Sequence, residues 1–387
     1  MLEKEFTLPK FFVPLESSER ETRVALTPET AKKFLSLGCN VFFEKGAGIS
    51  AGFLDKEYEK LGVQLVDPGD ENALGNCDVL LCVQSPKNEL LKKLNPGTLV
   101  IGLLNPYGNK NLVNSLKFSN LSAIALELLP RISRAQSSDA LSSQANIAGY
   151  KAVLLAASAL DRYFPMLMTA AGTVQPAKVV ILGAGVAGLQ AVATAKRLGA
   201  VVYVSDIRLV VKEQVESLGA RFIELPEIED KPSESGGYAN QASEEFLIAQ
   251  RQKLSDHLAE ADVAICTAQV PGKKAPLLID EEMLDRMRPG SVVIDLAVEQ
   301  GGNCACTKAR ETILRKGVKL VGASDLPSSV PNHASSLYSR NLLALLNPLI
   351  TNGSLALNTE DELINGALIS KNGDIRHSNV LLSGGDD

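Results

Sequence analysis

Along the first 130 residues, short apolar runs alternate with amphipathic segments. The runs are FFVPL, CNVFFEKG, VQLVD, CDVLLCVQ, GTLVIGLL and LSAIALELL. Between the first two lies TPETAKKFLSLG, with Thr27 as a helix cap, Pro28 at the first helical position and Gly38 at the end. Apolar runs separated by helices predict βαβ units and a parallel sheet. A long helical segment follows over 139–163 and stops before Pro165. A second series then begins with KVVILGAG, VVYVSD, RFIEL, ADVAICTA, SVVIDLAV and VKLVGA, with helical VAGLQAVATAKRLGA after its first strand.

The pattern therefore predicts an α/β protein: two Rossmann-like, doubly wound parallel-sheet domains joined by long helices. The first covers 1–138 and is completed by about 328–387; the second covers 139–327. The stretch 334–350 reads as a helix returning to the first domain. Near the end, Asn372-Gly373 between alternating residues predicts a hairpin. The polar, glycine-containing stretch 227–246 is a long loop inside a compact domain, which marks it as functional or disordered.

The second series carries the most specific motif. Gly183-x-Gly185-x-x-Gly188 follows a strand and opens a helix. Gly183 permits the tight turn, Gly185 lets backbone approach a pyrophosphate, and Gly188 lets helix and strand pack closely. The phosphates then meet the helix N-terminus at Val186, where free N–H groups and the dipole favour an anion. Asp206 ends the next strand, about 20 residues on, where a carboxylate accepts from ribose hydroxyls and repels a 2′-phosphate. That favours NAD over NADP. Ile207 and Arg208 follow it, and the Arg208 guanidinium is the group that could instead hold such a phosphate. Gln269, after the fourth run of this series, joins the candidate cofactor residues.

Composition narrows the class. At 387 residues the chain exceeds one ordinary core. Its net charge of -6 argues against a nucleic-acid surface. No apolar run approaches the roughly 18 to 20 residues that span a bilayer, and the N-terminus lacks the apolar core of a signal peptide. The cysteines, Cys39, Cys77, Cys82, Cys266, Cys304 and Cys306, form no CxxC pair and read as reduced thiols. Cys304-Ala-Cys306 lacks the further ligands of a metal site, so no metal is expected.

One stretch asks for a ligand. PRISRAQSSD sets Arg131, Arg134, Gln136 and Asp139 between an apolar strand and the long helix. A plain loop has no need of two guanidiniums, an amide and a carboxylate; a site reading a planar polar group does. The acid–base inventory is otherwise sparse: His257, His333 and His377 all lie away from apolar strand ends. Hydride exchange between two nicotinamides needs no proton carrier from the protein, only rigid presentation of one ring to another.

Over nearly its whole length the chain resembles the soluble NAD(H)-binding component of proton-translocating nicotinamide-nucleotide transhydrogenase, in the alanine dehydrogenase/transhydrogenase superfamily. The likeness is carried by RVALTPET (23–30), LELLPRISRAQSSDALSSQANIAGYKAV (126–153), TAAGTVQPAKVVILGAGVAGLQAVATAKRLGAVV (169–202), KEQVESLGARF (212–222), GGYA (236–239) and VVIDLAVEQGGNC (292–304). The resemblance implies that the PRISRAQSSD loop lies over the nicotinamide, with Gln136 on its carboxamide and Arg131 paired to Asp139. Ser142 and Tyr150 match positions near the same pocket, and Tyr238 the tip of a mobile loop. It further implies a homodimer, NADP(H) on a partner subunit, and a cytoplasmic position beside membrane-spanning partners. Alanine dehydrogenases, the rival reading, use a lysine and a histidine where this chain has Cys82 and Leu103.

Overall fold

A computed structural model describes residues 8–18, 20–224, 244–270, 272–351, 353–377 and 380, with the side chains of 244–250 excepted. The chain divides into two compact units. The first comprises Met1–Gln144 and Pro327–Asp387, the second Ala145–Leu326. The division falls inside the helix Ala140–Ala159 rather than before it.

In the first unit, β1 (Lys10–Val13), β2 (Asn40–Glu44), β3 (Gln64–Val66), β4 (Val79–Gln84), β5 (Leu99–Leu103) and β6 (Ser122–Ala125) are parallel, in the order β3-β2-β1-β4-β5-β6. Both faces are covered, which is why the runs read as continuously apolar. Phe11, Val13, Leu81 and Val83 enter one core, while Phe12, Leu80, Cys82 and Val100 enter another. The alternation is the period of two of a strand, applied to two buried faces.

The second unit opens with a small hairpin, β7 (Leu167–Thr169) and β8 (Gly172–Val174). Next come β9 (Lys178–Leu182), β10 (Val201–Ser205), β11 (Arg221–Phe222), β12 (Val263–Cys266), β13 (Val292–Asp295), β14 (Thr312–Arg315) and β15 (Val318–Gly322). Their order, β11-β10-β9-β12-β13-β15-β14, repeats the pattern of the first unit, with only β14 antiparallel. Lys316-Gly317, both with positive φ, turn β14 into β15. In each sheet the direction of winding reverses beside the first strand, and ligands of such sheets bind outside the carboxyl ends at that point.

The chain then returns to the first unit through the helix Pro331–Leu346. The small pair β16 (Ile350–Thr351) and β17 (Ser354–Leu355) follows. The hairpin β18 (Leu368–Lys371) and β19 (Asp374–Ile375) extends the sheet antiparallel to β6. Asn372 and Gly373, with φ of 49° and 85°, close it as the sequence indicates.

Candidate nucleotide-binding site

The second unit carries the glycine turn at the carboxyl end of β9. Gly183 has φ 100°, and a Cβ there would lie 2.7 Å from Thr267 Oγ1, so backbone and space both require glycine. A Cβ on Gly188 would stand 1.9 Å from the Gly183 carbonyl oxygen, which sets how closely helix and strand approach. Gly185 differs: its φ of -77° is ordinary, and a Cβ would meet nothing within 4 Å. It precedes the helix Val186–Arg197 and offers no side chain to cap it. The space beside Gly185 is therefore open, and Val186, which begins the helix, is 42% exposed. That is the cradle a pyrophosphate would fill.

Asp206 stands at the end of β10 and is buried. Its Oδ2 accepts from the Ala184 amide at 2.7 Å, which ties it to the glycine turn. Arg208 supplies the other bonds. Its amide and Nε donate to Oδ1 at 2.8 and 3.0 Å, and its Nη2 donates to Oδ2 at 2.9 Å. Burial opposes ionisation of Asp206, but these donors outweigh it and hold the carboxyl below its usual range. Between them Ile207 points outward, 81% exposed, an apolar surface next to the Asp206 carboxylate.

At the ends of β12 and β13 lies a polar network that sequence reasoning missed. The Thr267 hydroxyl is within donating distance of the Leu182 and Gly183 carbonyl oxygens, at 3.1 and 3.0 Å. Asn303, fully buried, donates to the Ala268 and Pro276 carbonyls at 2.8 Å and accepts from the Ala268 amide at 3.0 Å. Asp295, equally buried, accepts from the Asn303 and Cys304 amides and the Thr307 hydroxyl through Oδ2. Gln269 extends from this frame and donates to the Leu296 carbonyl at 2.7 Å. The available signal was a carboxylate closing an otherwise apolar strand, VVID.

Gly149 was also missed. It lies on the helix Ala140–Ala159, where its absent Cβ would come within 2.0 Å of the Ala187 carbonyl oxygen. Nearby, Asn146 donates to Gln190 at 3.1 Å. This helix thus lies directly on the first turn of the glycine-turn helix. Tyr150, the next residue, is 41% exposed.

The PRISRAQSSD loop belongs to the first unit, where Ser133–Ser138 form a 3-10 segment. Asn341 donates to the Ser137 carbonyl at 2.8 Å, and Arg134 pairs with Asp361. So anchored, the loop leaves Arg131 and Gln136 exposed. The expected Arg131–Asp139 pair is not formed. Asp139 instead accepts from the Ser142 amide at 2.9 Å and its hydroxyl at 2.5 Å, capping the helix Ala140–Ala159. A cap satisfies two donors locally, whereas a pair would immobilise a long exposed guanidinium. Tyr238 lies outside the described residues.

The first unit holds a titratable cluster that Cys82 and Leu103 did not announce. Cys82 faces the core and its thiol contacts the Ile101 carbonyl at 3.3 Å; burial pushes its titration far up. Leu103 packs against the other core. Beside them, Glu16 accepts from the Val83 and Gln84 amides at 2.6 and 3.2 Å, and burial raises its pKa to about 8. Burial works against the Glu21 carboxylate too, yet Arg23 holds it below its usual range, with Nε and Nη2 at 2.7 and 2.6 Å. Tyr338 donates to the Cys82 carbonyl at 2.7 Å. Among the described residues no group of His, Cys, Asp and Glu could hold a metal. Nor is any described helix long and apolar enough to cross a membrane.

Two units with the strand order of dinucleotide-binding folds, one bearing a complete glycine turn with a buried carboxylate tied to it, define a Rossmann-type nucleotide-binding protein. The model of the alanine dehydrogenase/PNT N-terminal domain matches residues 12–148, and that of the C-terminal domain matches 152–378. The chain belongs to this family. It is 44% identical to the first of the polypeptides that make up NAD(P) transhydrogenase subunit alpha in Rhodospirillum rubrum, over 95% of this chain and 98% of that one. A solved transhydrogenase from Sinorhizobium meliloti matches with TM-score 0.86 and 43% identity, covering 95% of this chain and 99% of its own. A solved L-alanine dehydrogenase matches with TM-score 0.82 and 28% identity, covering 97% and 98%.

Proposed function

We propose that this chain is the NAD(H)-binding component of a proton-translocating transhydrogenase (Re/Si-specific), in which hydride passes between NADH and NADP+. The observation that carries the reading is the bond from the Ala184 amide to Asp206, which sets a buried carboxylate, a group suited to ribose hydroxyls, against the glycine turn. Asp206 accepts from the adenosine ribose, Ile207 lies along the adenine, and the amides after Gly185 hold the pyrophosphate. The nicotinamide supplies the hydride chemistry. Gln136 reads its carboxamide, with Arg131, Asp139, Ser142, Tyr150, Tyr238 and Gln269 shaping the pocket around the nucleotide.

NADP(H) sits on a partner subunit, and membrane-spanning partners couple the transfer to proton movement. The chain is then peripheral, on the cytoplasmic face. Two copies associate: Met168 on β7 and Met166 just before it are 79% and 56% exposed, with Tyr163 and Val174 also exposed. Apolar surface displayed on a hairpin in this way suits burial against a second copy.

Reconstitution with an NADP(H)-binding partner, followed by hydride transfer from NADH to an NADP+ analogue, tests the proposal. Calorimetry on the chain alone should show NADH binding preferred over NADPH; equal affinities would remove Asp206 from its role. A second reading, an alanine dehydrogenase-like activity, draws on Glu16, Glu21 and Arg23 at the strand ends of the first unit. Pyruvate- and ammonium-dependent oxidation of NADH by the chain alone would establish it and displace the first.

A further inference from the structure

Arg208 occupies the acceptor that the ribose requires. A carboxylate has about four acceptor positions, and all four on Asp206 are taken. The Ala184 and Arg208 amides hold two of them, at 2.7 and 2.8 Å. These backbone donors fix the carboxylate. The other two take Nε and Nη2 of Arg208, at 3.0 and 2.9 Å, one on each oxygen. One edge of the guanidinium thus presents two donors to the two oxygens, the pattern in which a vicinal diol presents two hydroxyls. The two ends of the pair differ in freedom: the Asp206 side chain is 6% exposed and the Arg208 side chain 51%. Asp206 is the only ion-pair partner of Arg208 among the described residues. The carboxylate is fixed, and the guanidinium can leave.

We infer that Arg208 is a built-in competitor for the ribose 2′,3′-diol, displaced when NADH binds, and that it sets both the affinity and the selectivity of the site. This rests on the nucleotide-site reading above. Exchange of guanidinium for diol keeps both oxygens of Asp206 bonded, so the buried charge is never uncovered. Arg208 lowers NADH affinity by the strength of its own pair. Exposed and half-exposed pairs are weak, so the effect amounts to about two- to fivefold. Once displaced, the guanidinium lies next to the 2′ position. There it offsets part of the repulsion between Asp206 and a 2′-phosphate, and softens discrimination against NADPH.

The test is Arg208→Gln in the full chain, with NADH, NADPH and 2′-deoxy-NAD+ titrated by calorimetry and NADH association followed by stopped flow. The expected result is NADH affinity about two- to fivefold tighter with faster association, and weaker NADPH binding. The gain should shrink for 2′-deoxy-NAD+, which presents one hydroxyl in place of two. A variant that binds NADH more weakly than wild type makes Arg208 a ligand and overturns the inference. So does an equal gain for NADH and the deoxy compound. Should wild type bind no NADH at all, the nucleotide-site reading itself falls, and this inference with it.

Discussion

The Cβ that Gly149 lacks would stand 2.0 Å from the carbonyl oxygen of Ala187 and 2.8 Å from its carbonyl carbon. Within the second unit, two helices therefore meet backbone to backbone beside the glycine turn. In an isolated helix Gly→Ala is stabilising by about 1 kcal/mol. Here the sign inverts, because the added methyl must push the first turn of Val186–Arg197 away. Gly149→Ala should cost about 1–3 kcal/mol, as overpacking does, and shift the first-turn amides of that helix with it. Denaturant unfolding measures the first effect and NADH titration the second. A variant as stable as wild type with unchanged affinity would show that the contact is easily relieved.

Gly185 and Gly188 separate binding from folding. A side chain at Gly185 meets open space at an ordinary φ of -77°, so Gly185→Val should fold with wild-type stability and lose NADH binding. A side chain at Gly188 meets the Gly183 carbonyl at 1.9 Å, so Gly188→Ala should be destabilised by about 1–3 kcal/mol. Melting temperature and nucleotide titration on both variants check the contrast. Unimpaired binding by Gly185→Val would move the phosphates off this turn.

The sequence made these glycines legible, while Gly149 stayed hidden, for a physical reason. A glycine turn is a local device, with strand, turn, helix and acceptor following one another along the chain. The Gly149–Ala187 contact joins separate helices and leaves no period in either. The same holds for Asn303 and Asp295, whose bonds reach across strand ends. Both parallel sheets could be read because buried strands are continuously apolar. The hairpin β7–β8, with two exposed strands, has no such signature. At Asp139 the resemblance implied a pair with Arg131, eight residues away in the chain. The local cap wins in the structure.

Glu16 should give the first unit a pH signature. Its carboxyl binds protons more tightly folded than unfolded, with a folded pKa of about 8 against an ordinary 4.5. Unfolding between these values releases a proton. Stability contributed by this group therefore falls as pH rises from about 5 to 8, and levels off above. Glu21 and Arg23 face the same group, and Cys82 and Tyr338 lie beside it with titrations pushed well above this window. In Glu16→Gln the slope over pH 5–8 should be smaller, so the variant gains on wild type toward alkaline pH. Urea unfolding at several pH values reads this, and parallel curves would mean Glu16 is already ionised in the folded protein.

Gln136 and Asp139 should fail in different ways. Gln136 is exposed, so Gln136→Asn should leave stability unchanged. If it presents the carboxamide of one nicotinamide to another, shortening it by one methylene misplaces the ring. A misplacement on the order of 1 Å costs about 100-fold in rate, while one lost hydrogen bond costs about 1 kcal/mol, several-fold in affinity. Single-turnover transfer in the reconstituted complex should therefore slow far more than NADH binding weakens. Asp139 accepts from the Ser142 amide and hydroxyl, so Asp139→Ala should lower stability by about 1 kcal/mol, as loss of a cap does. Its kinetic defect should follow from disorder of the loop and be partly rescued by Asp139→Asn, which keeps one acceptor for the Ser142 amide. A Gln136→Asn complex transferring hydride at the wild-type rate would take this loop out of the reaction and leave it a helix cap.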